Sequence, residues 1–165
     1  KKQISKLDYA IGHNTTKRTP GTHFTWLRNP LDRDISQFNY DLSKDEAKAD
    51  TFEDNCRLLA GNFFTLWLYK NYLLQDPSVD INSKYITVQQ CLRNNFQKVF
   101  CLENFEQSWN EIADLLKVDR EPRLTTNRSH ADYKKYTDKK DLSKEFIEWH
   151  KNYNHYDFKL YEEFC

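Results

Sequence analysis

The sequence lacks methionine altogether, has no internal repeat or low-complexity tract, and carries no excess of one charge. Lysine plus arginine number 25 and so do aspartate plus glutamate, so the strong positive bias of a dedicated nucleic-acid-binding protein is absent. The longest apolar run covers residues 63–69, which is far shorter than the ~20 residues that cross a bilayer. We therefore expect no transmembrane segment in this chain and no nucleic-acid partner.

Cysteines are few and scattered. Cys56, Cys91, Cys101 and Cys165 form no CxxC pair and no cluster with histidine at metal-ligand spacing. Such spacing indicates neither a zinc site nor a dense disulfide framework. We predict that the cysteines are buried free thiols, and we assign no metal.

What the sequence does contain is aromatic rings, which make up 15% of its 165 residues. Phe, Tyr and Trp can build a core where aliphatic side chains are scarce, and a chain of this length is long enough to bury one. Residues 1–165 are therefore predicted to form a single domain. The missing initiator methionine suggests that this domain is a piece of a longer product.

Two short segments near the N-terminus are predicted strands. Residues 7–12 (LDYAIG) and 22–27 (THFTWL) are rich in aromatic and β-branched side chains and are separated by a polar turn region. After the second strand, Asn29 is a suitable N-cap and Pro30 suits the first position of a helix. The helical period places Leu31, Ile35, Phe38 and Leu42 on one apolar stripe, and Asn29, Arg33, Ser36 and Tyr40 on the opposite side.

The rest of the chain alternates helices with one strand. The sequence predicts a long helix over residues 51–74 that is weakened or kinked near Gly61, a helix over 87–96, a strand over 99–102, and amphipathic helices over 105–116 and 142–164. Residues 118–141 are charged and aperiodic and are predicted to form a loop. Strands alternating with helices favour the α/β class, with a small parallel sheet and many helices.

Arg28 lies between the second predicted strand and the helix that follows it. Its guanidinium would sit with the helix N-terminus at the carboxyl edge of the sheet, where α/β proteins tend to bind ligands. Free N–H groups there attract anions, an arginine can hold two phosphate oxygens, and the hydroxyl of Ser36 can add a hydrogen bond. The pattern is a candidate anion site, although turns of this kind are also common in proteins that bind no anion.

Five segments, in order along the chain, resemble the sulfotransferases that use 3'-phosphoadenosine 5'-phosphosulfate (PAPS), in particular the membrane-associated carbohydrate group. The run LRNPLDRDISQFNY (27–40) is similar to the family signature LRDPxERxxSxYxY, and AIGH (10–13) is similar to its Gly-His segment. DNCRLLAG (54–61) resembles the family's dNxxtRxLaG helix, and VFCLENFEQSWNEIADLL (99–116) resembles a later strand and helix. NRSHADYKKY (127–136) and FIEWHKNYNHYDFKLYEEF (146–164) resemble its closing loop and last helix.

The resemblance implies a P-loop-NTPase-like sulfotransferase fold and transfer of a sulfuryl group from PAPS to a carbohydrate hydroxyl. In the family, the arginine and serine that match Arg28 and Ser36 bind the 3'-phosphate of the nucleotide. In the heparan and uronyl 2-O-sulfotransferase branch, the histidine that matches His13 is the proposed base, a role that imidazole can fill near neutral pH. Asn127 and Ser129 lie in the predicted loop, whose position resembles the family segment that covers the nucleotide; the alternative is a solvated loop without this role. The implied partners are a glycan acceptor and PAPS or its product.

One part of the family pattern is missing. Members carry a glycine-rich PKTGGTS-like loop that wraps the 5'-phosphosulfate, whereas Gly12, Gly21 and Gly61 lie in no such loop. We expect the chain to be the C-terminal two-thirds of an enzyme; the alternatives are a non-catalytic glycan- or nucleotide-binding relative and a helical interaction domain with accidental resemblance. The compartment stays open, Golgi lumen for a eukaryotic member and cytoplasm for a bacterial one, and so does the oligomeric state.

Overall fold

The computed structural model describes residues 15–117 and 137–165, and within these segments the chain is mostly helical. The elements in chain order are β1 (His23–Leu27), α1 (Pro30–Ser43), α2 (Phe52–Leu58), α3 (Phe63–Trp67), a π-helical turn (Leu68–Tyr72), α4 (Ile81–Asn95), β2 (Phe96–Cys101), a 3₁₀ turn (Leu102–Asn104), α5 (Phe105–Leu116), a second 3₁₀ turn (Lys139–Asp141), α6 (Lys144–Tyr153) and α7 (His155–Phe164). Among the described helices, none has both the length and the apolar character needed to span a bilayer.

The sheet of the described segments consists of β1 and β2, which pair in parallel. Phe24 is in register with Lys98 and Leu27 with Cys101, and the register shifts just before Phe24. Parallel strands cannot be joined by a tight turn, so helices α1 to α4 form the crossover between them. The predicted helix-rich α/β class with a small parallel sheet is confirmed, and so is the predicted strand that ends at Leu27.

Helix α1 begins where the sequence predicts. The side chain of Asn29 caps it, with Oδ1 accepting the N–H groups of Leu31 (3.1 Å) and Asp32 (3.3 Å), and Pro30 takes the first helical position. The inner face of α1 packs against α2 and α6 in an aromatic core that comprises Leu31, Ile35, Phe38, Phe52, Cys56 and Phe146. The predicted apolar stripe of α1 is thereby confirmed.

A second core surrounds the sheet, the π-helical turn, α4 and α7. It comprises Leu27, Leu68, Tyr69, Tyr72, Leu73, Val88, Cys91, Leu92 and Leu160. His23 lies at its edge, with Nδ1 hydrogen-bonded to the hydroxyl of Tyr72 and Nε2 at 2.8 Å from the carbonyl oxygen of Thr19. His23 therefore has a structural role, fixing the start of β1 against the core.

Two boundaries around β2 differ from the predictions. Helix α4 begins at Ile81 rather than at residue 87, because Asp80 caps it by accepting the N–H of Ser83 (3.0 Å). Strand β2 begins at Phe96, directly after α4, and ends at Cys101. The predicted amphipathic helix over residues 105–116 is confirmed as α5.

The prediction of one long helix over residues 51–74 is wrong, because residues 59–62 are not helical and separate α2 from α3. Asn62 adopts φ 59°, a left-handed conformation that interrupts the helical path. A Cβ atom on Gly61 would lie 2.8 Å from the carbonyl oxygen of Tyr153, so only glycine lets this turn approach α6 so closely. The weakness near Gly61 was visible in the sequence, but the contact that requires glycine was not.

The predicted single helix over residues 142–164 is also wrong, since it forms two helices, α6 and α7. Asn154 lies between them, and its side chain donates to the carbonyl of His150 (3.1 Å) and accepts the N–H of Asn62 (2.7 Å). An asparagine that bonds nearby backbone groups in this way competes with the regular helical ladder. The apolar period continues on both sides of Asn154, so the period alone could not reveal the break.

Asn62, Asn154 and Asp157 form what we term the α6–α7 junction, which ties the turn at 59–62 to the last two helices. Asp157 accepts the N–H of Phe64 (2.7 Å), and also the N–H (2.9 Å) and hydroxyl (2.8 Å) of Thr65. These bonds satisfy N–H donors at the start of α3 that have no partner within the helix, and the partial positive charge of a helix N-terminus favours a carboxylate there. The junction thus joins segments that lie more than ninety positions apart in the chain.

The prediction of free thiols is wrong for two of the four cysteines. Cys101 and Cys165 form a disulfide with Cα atoms 5.5 Å apart, which links the end of β2 to the residue after α7. Cys56 and Cys91 are free and buried, as predicted. The bonded residues are 64 positions apart, and they meet only because α7 returns to the sheet.

Thr137 and Lys139, at the C-terminal end of the predicted loop, pack on α1. The backbone of Thr137 exchanges two hydrogen bonds of 2.9 Å with the side chain of Asn39. Nearby, Nζ of Lys139 lies 3.4 Å from Oδ1 of Asp32. The rest of the predicted loop, residues 118–136, and the predicted strand over 7–12 lie outside the described residues.

Candidate functional site

Arg28 lies at the carboxyl end of β1, where the sequence predicts an anion site. It follows Leu27, the last residue of the strand, and precedes Asn29, the N-cap of α1. The residue is half-buried, and its side chain has no hydrogen-bond or ion-pair partner among the described residues. A guanidinium in this state can receive an anion without first breaking another ion pair.

The backbone N–H groups at the start of α1 are already hydrogen-bonded. The N–H of Asn29 donates to Glu103 (2.6 Å), and those of Leu31 and Asp32 donate to the capping side chain. Pro30 has no N–H to offer. The free helix N–H groups invoked by the sequence-based prediction are therefore not present in this structure, and an anion at this edge would be held by side chains.

Glu103 lies beside the carboxyl end of β1, and the sequence assigns it no role. It connects the 3₁₀ turn after β2 to the first turn of α1 through its bond to Asn29. Burial, and after it the nearby charge of Glu103, raise the pKa of the Tyr161 hydroxyl. Glu103 therefore places a negative charge beside the turn that carries Arg28.

Ser36 lies two turns into α1 and is half-buried. It shares a helix face with Asp32 and Asn39, which lie one turn before and one turn after it. Both of these residues contact residues 137–139. About 10 Å of helix rise separates the start of α1 from Ser36, so Arg28 would have to extend along the helix to share a ligand with it. The other predicted site residues, His13, Asn127 and Ser129, lie outside the described residues.

A cleft of about 360 Å³ lies on a different side of α1 from Ser36. Its walls come from α1, α2, the turn at 59–62, the start of α3 and the end of α6, and they include Arg33, Phe63 and Tyr153. The guanidinium of Arg33 lies 4.0 Å from the centre of the Phe63 ring and is hydrogen-bonded to Asp34. The cleft thus combines aromatic and charged side chains, which no sequence motif had brought together.

Asp34, Cys56 and His150 meet beside this cleft. Asp34 and Cys56 line it, and His150 is fully buried against them. One donor atom from each residue lies within 4.8 Å of the other two. Nε2 of His150 is 2.8 Å from Oδ2 of Asp34, whereas its Nδ1 is buried without a hydrogen-bond partner among the described residues. Sequence reasoning missed this group because its members come from α1, α2 and α6.

Thiol catalysis is a poor explanation for the group. Burial raises the pKa of Cys56 to about 12, and the negative charge of Asp34 adds to the effect. The thiol is therefore protonated near neutral pH, whereas the thiolate is the nucleophile in cysteine enzymes. The arrangement resembles a cysteine, histidine and aspartate triad only in composition.

Comparison of the chain with protein-family models, curated proteins and solved structures finds no match. No relative therefore assigns an activity to the edge at Arg28 or to the cleft. The function of both has to be inferred from their residues and tested directly.

Proposed function

We propose that the chain is part of a PAPS-dependent carbohydrate O-sulfotransferase with a P-loop-NTPase-like sulfotransferase fold. The observation that carries this proposal is the carboxyl end of β1, where Arg28 follows the strand, Asn29 caps α1, and Ser36 lies on the same helix. The segment LRNPLDRDISQFNY would need this arrangement if Arg28 and Ser36 held a 3'-phosphate. The parallel pairing of β1 with β2 adds support, because ligands of α/β proteins bind outside the carboxyl ends of parallel strands.

The 3'-phosphate would be bound by side chains. Arg28 would supply charge-assisted hydrogen bonds and Ser36 a neutral one, because the N–H groups of the first turn of α1 are already bonded. Glu103 would act against binding, since its carboxylate lies at the same turn. We therefore expect Arg28 and Ser36 to raise the affinity for the nucleotide and Glu103 to lower it.

The transfer step would use residues outside the described segments. A sugar hydroxyl would attack sulfur in line, forming the new S–O bond while the bond from sulfur to the phosphate oxygen breaks. His13 remains the predicted base that accepts the hydroxyl proton, and Asn127 and Ser129 remain predicted to cover the nucleotide. The chemistry needs no metal.

The disulfide between Cys101 and Cys165 supports an oxidising location. Disulfides persist in secretory compartments and are rare in the cytosol. Of the two locations that the sequence leaves open, the Golgi lumen fits this bond better than a bacterial cytoplasm does.

A non-catalytic glycan- or nucleotide-binding relative is the second candidate. Two glycines favour this candidate because they serve the fold and not a phosphate-binding loop. Gly61 packs against Tyr153, and Gly21 lies in the turn before β1 at φ 118°. Neither forms a loop around a 5'-phosphosulfate, and Gly12 lies outside the described residues. Both candidates share the 3'-phosphate site, and a glycine-rich loop with a lysine encoded upstream would favour the enzyme.

Calorimetric binding of 3',5'-adenosine bisphosphate to the wild type and to Arg28→Ala tests the shared site. Hydrogen bonds to charged groups contribute about 1.5–3 kcal/mol, so loss of the guanidinium should raise Kd about tenfold to a hundredfold. Ser36→Ala removes a neutral bond and should raise Kd less. Glu103→Gln keeps an acceptor for the N–H of Asn29 while removing the charge, and should lower Kd.

Arg93→Ala is the matched control. Arg93 lies just before β2, at the opposite edge of the sheet, and pairs with Glu163 at 2.6 Å. This variant should bind the nucleotide as the wild type does, with circular dichroism confirming that every variant folds. A folded wild type that does not bind, or an equal loss in Arg93→Ala, would count against the site and favour the helical interaction domain.

A further inference from the structure

Neither the fold nor the proposed function explains why Asp34, Cys56 and His150 lie together. Three different helices bring a carboxylate oxygen, a thiol sulfur and an imidazole nitrogen within 4.8 Å of one another. Zinc takes ligands of these three types, at about 2.0 Å for oxygen and nitrogen and about 2.3 Å for sulfur. The composition of the group therefore matches a metal site more closely than a random polar contact.

We propose that Asp34, Cys56 and His150 bind zinc, with a coordination position open toward the adjoining cleft. The site is separate from the proposed nucleotide site, because Arg28 precedes α1 and Ser36 lies on a different side of that helix from Asp34. It also departs from the sequence-based expectation of no metal, which rested on the spacing of cysteines and histidines along the chain.

The distances within the group allow a metal ion with small side-chain movements. Ligand atoms around a tetrahedral zinc ion are roughly 3.3–3.8 Å apart. Nε2 of His150 and Oδ2 of Asp34, at 2.8 Å, are closer than this, and the longest separation in the group is at most 4.8 Å. Shifts on the order of 1 Å would accommodate the ion.

The imidazole of His150 can present one nitrogen to an ion. Its Nε2 lies 2.8 Å from Oδ2 of Asp34 and 3.2 Å from Nδ2 of Asn154, so zinc at Nε2 would replace these contacts. Its Nδ1 is buried and has no partner among the described residues, and it would carry the ring proton while Nε2 binds the ion. The carboxylate of Asp34 and the thiolate that Cys56 would become on binding can neutralise a divalent cation, with the thiol proton passing to solvent.

The charge and the donor types narrow the identity of the ion. Magnesium and calcium take oxygen ligands, whereas a thiolate together with an imidazole favours zinc and its transition-metal neighbours. Arg33 acts against any cation because its guanidinium contacts Asp34. Three protein ligands with one open position is the arrangement of catalytic zinc sites, and Asp34 and Cys56 both face the cleft of about 360 Å³.

Cobalt(II) titration of the whole chain tests the proposal, with the disulfide intact and metal removed beforehand by a chelator. Cobalt(II) occupies zinc sites and reports a thiolate ligand as a charge-transfer band in the near ultraviolet. We expect the wild type to develop this band up to one equivalent, and added zinc to abolish it. A folded wild type that shows no such band would overturn the proposal.

Cys56→Ser should lose the band, and Cys91→Ser should keep it. The two residues are matched, since each is a free cysteine with 6% of its surface exposed. Asp34→Asn should keep the band and bind cobalt at least ~tenfold more weakly. A band that survives in Cys56→Ser and disappears in Cys91→Ser would overturn the assignment.

X-ray absorption of the zinc-loaded wild type gives a result that does not depend on whether a variant folds. We expect one sulfur neighbour at about 2.3 Å and nitrogen or oxygen neighbours at about 2.0 Å. A zinc shell without sulfur would exclude Cys56 as a ligand and overturn the proposal.

Discussion

Two polar groups lie beside each other where α6 meets the turn at 59–62, and they differ in how fully they are hydrogen-bonded. In the α6–α7 junction, the side chains of Asn62, Asn154 and Asp157 all bond to backbone groups at normal distances. In the group of Asp34, Cys56 and His150, one imidazole nitrogen is buried without a partner among the described residues. Similar burial is thus combined with complete hydrogen-bonding of the side chains in the junction and with incomplete hydrogen-bonding in the proposed zinc site.

The largest effect should come from Asp157→Ala, which tests whether the junction is structural. The substitution leaves buried N–H groups at the start of α3 without their acceptor, so we expect a loss of about 3–5 kcal/mol in the free energy of unfolding. Urea denaturation measures it. Asp34→Ala in the metal-free protein is the matched control; its carboxylate is 17% exposed, so water can replace it, and the expected loss is about 1–2 kcal/mol. Equal losses would remove the distinction between the two groups.

Cys165→Ser tests whether the junction keeps α7 folded when the disulfide at the other end of that helix is lost. Opening a loop of 64 residues should cost about 2–4 kcal/mol in the free energy of unfolding, whereas Cys91→Ser leaves the loop closed. Hydrogen exchange should still show protection of the amides of Tyr156 and Asp157, which donate to Asn62. Loss of protection along the whole of α7 would mean that the junction depends on the disulfide.

Of the three test substitutions, Gly61→Ala should reduce the free energy of unfolding least, and it tests the close approach on which the junction depends. The new methyl group would meet the carbonyl oxygen of Tyr153 at 2.8 Å, a backbone atom that cannot rotate away. We expect a loss of about 1–3 kcal/mol, with NMR shift changes at Tyr153 and Asn154. Gly21→Ala adds the same group where no atom lies within 4 Å, and its shift changes should not reach α6. Unchanged shifts at Tyr153 in Gly61→Ala would show that the turn can move away at little cost.

The parts of the fold that could be predicted from sequence are those set by neighbouring residues. Asn29 and Pro30 start α1 through local capping chemistry, and the apolar period of α5 is complete within its own 12 residues. The sequence indicated a weak point near Gly61, but it did not predict the full break at residues 59–62 or the break at Asn154, because both are stabilised by contacts between the two breaks themselves. Each apolar period continues through its break, so the local pattern favoured an unbroken helix.

The candidate sites also differ in whether neighbouring or distant residues form them. Arg28 and Ser36 fall within one short segment, so a motif could indicate them. The group of Asp34, Cys56 and His150 could not be found from spacing, because its members are tens of residues apart. The disulfide was missed for the same reason, since the spacing of cysteines does not determine which of them pair.

The parallel pairing of β1 with β2 has consequences for the rate at which the chain folds. His23 pairs with Phe96 and Leu27 with Cys101, so the whole segment that carries α1 to α4 must close as a loop when the strands meet. The entropy of closing so long a segment is lost before the strand hydrogen bonds are gained. Individual helices form within about a microsecond, yet we expect refolding to be limited by the docking of β2 on β1 and to be slower than in a helical bundle of this size.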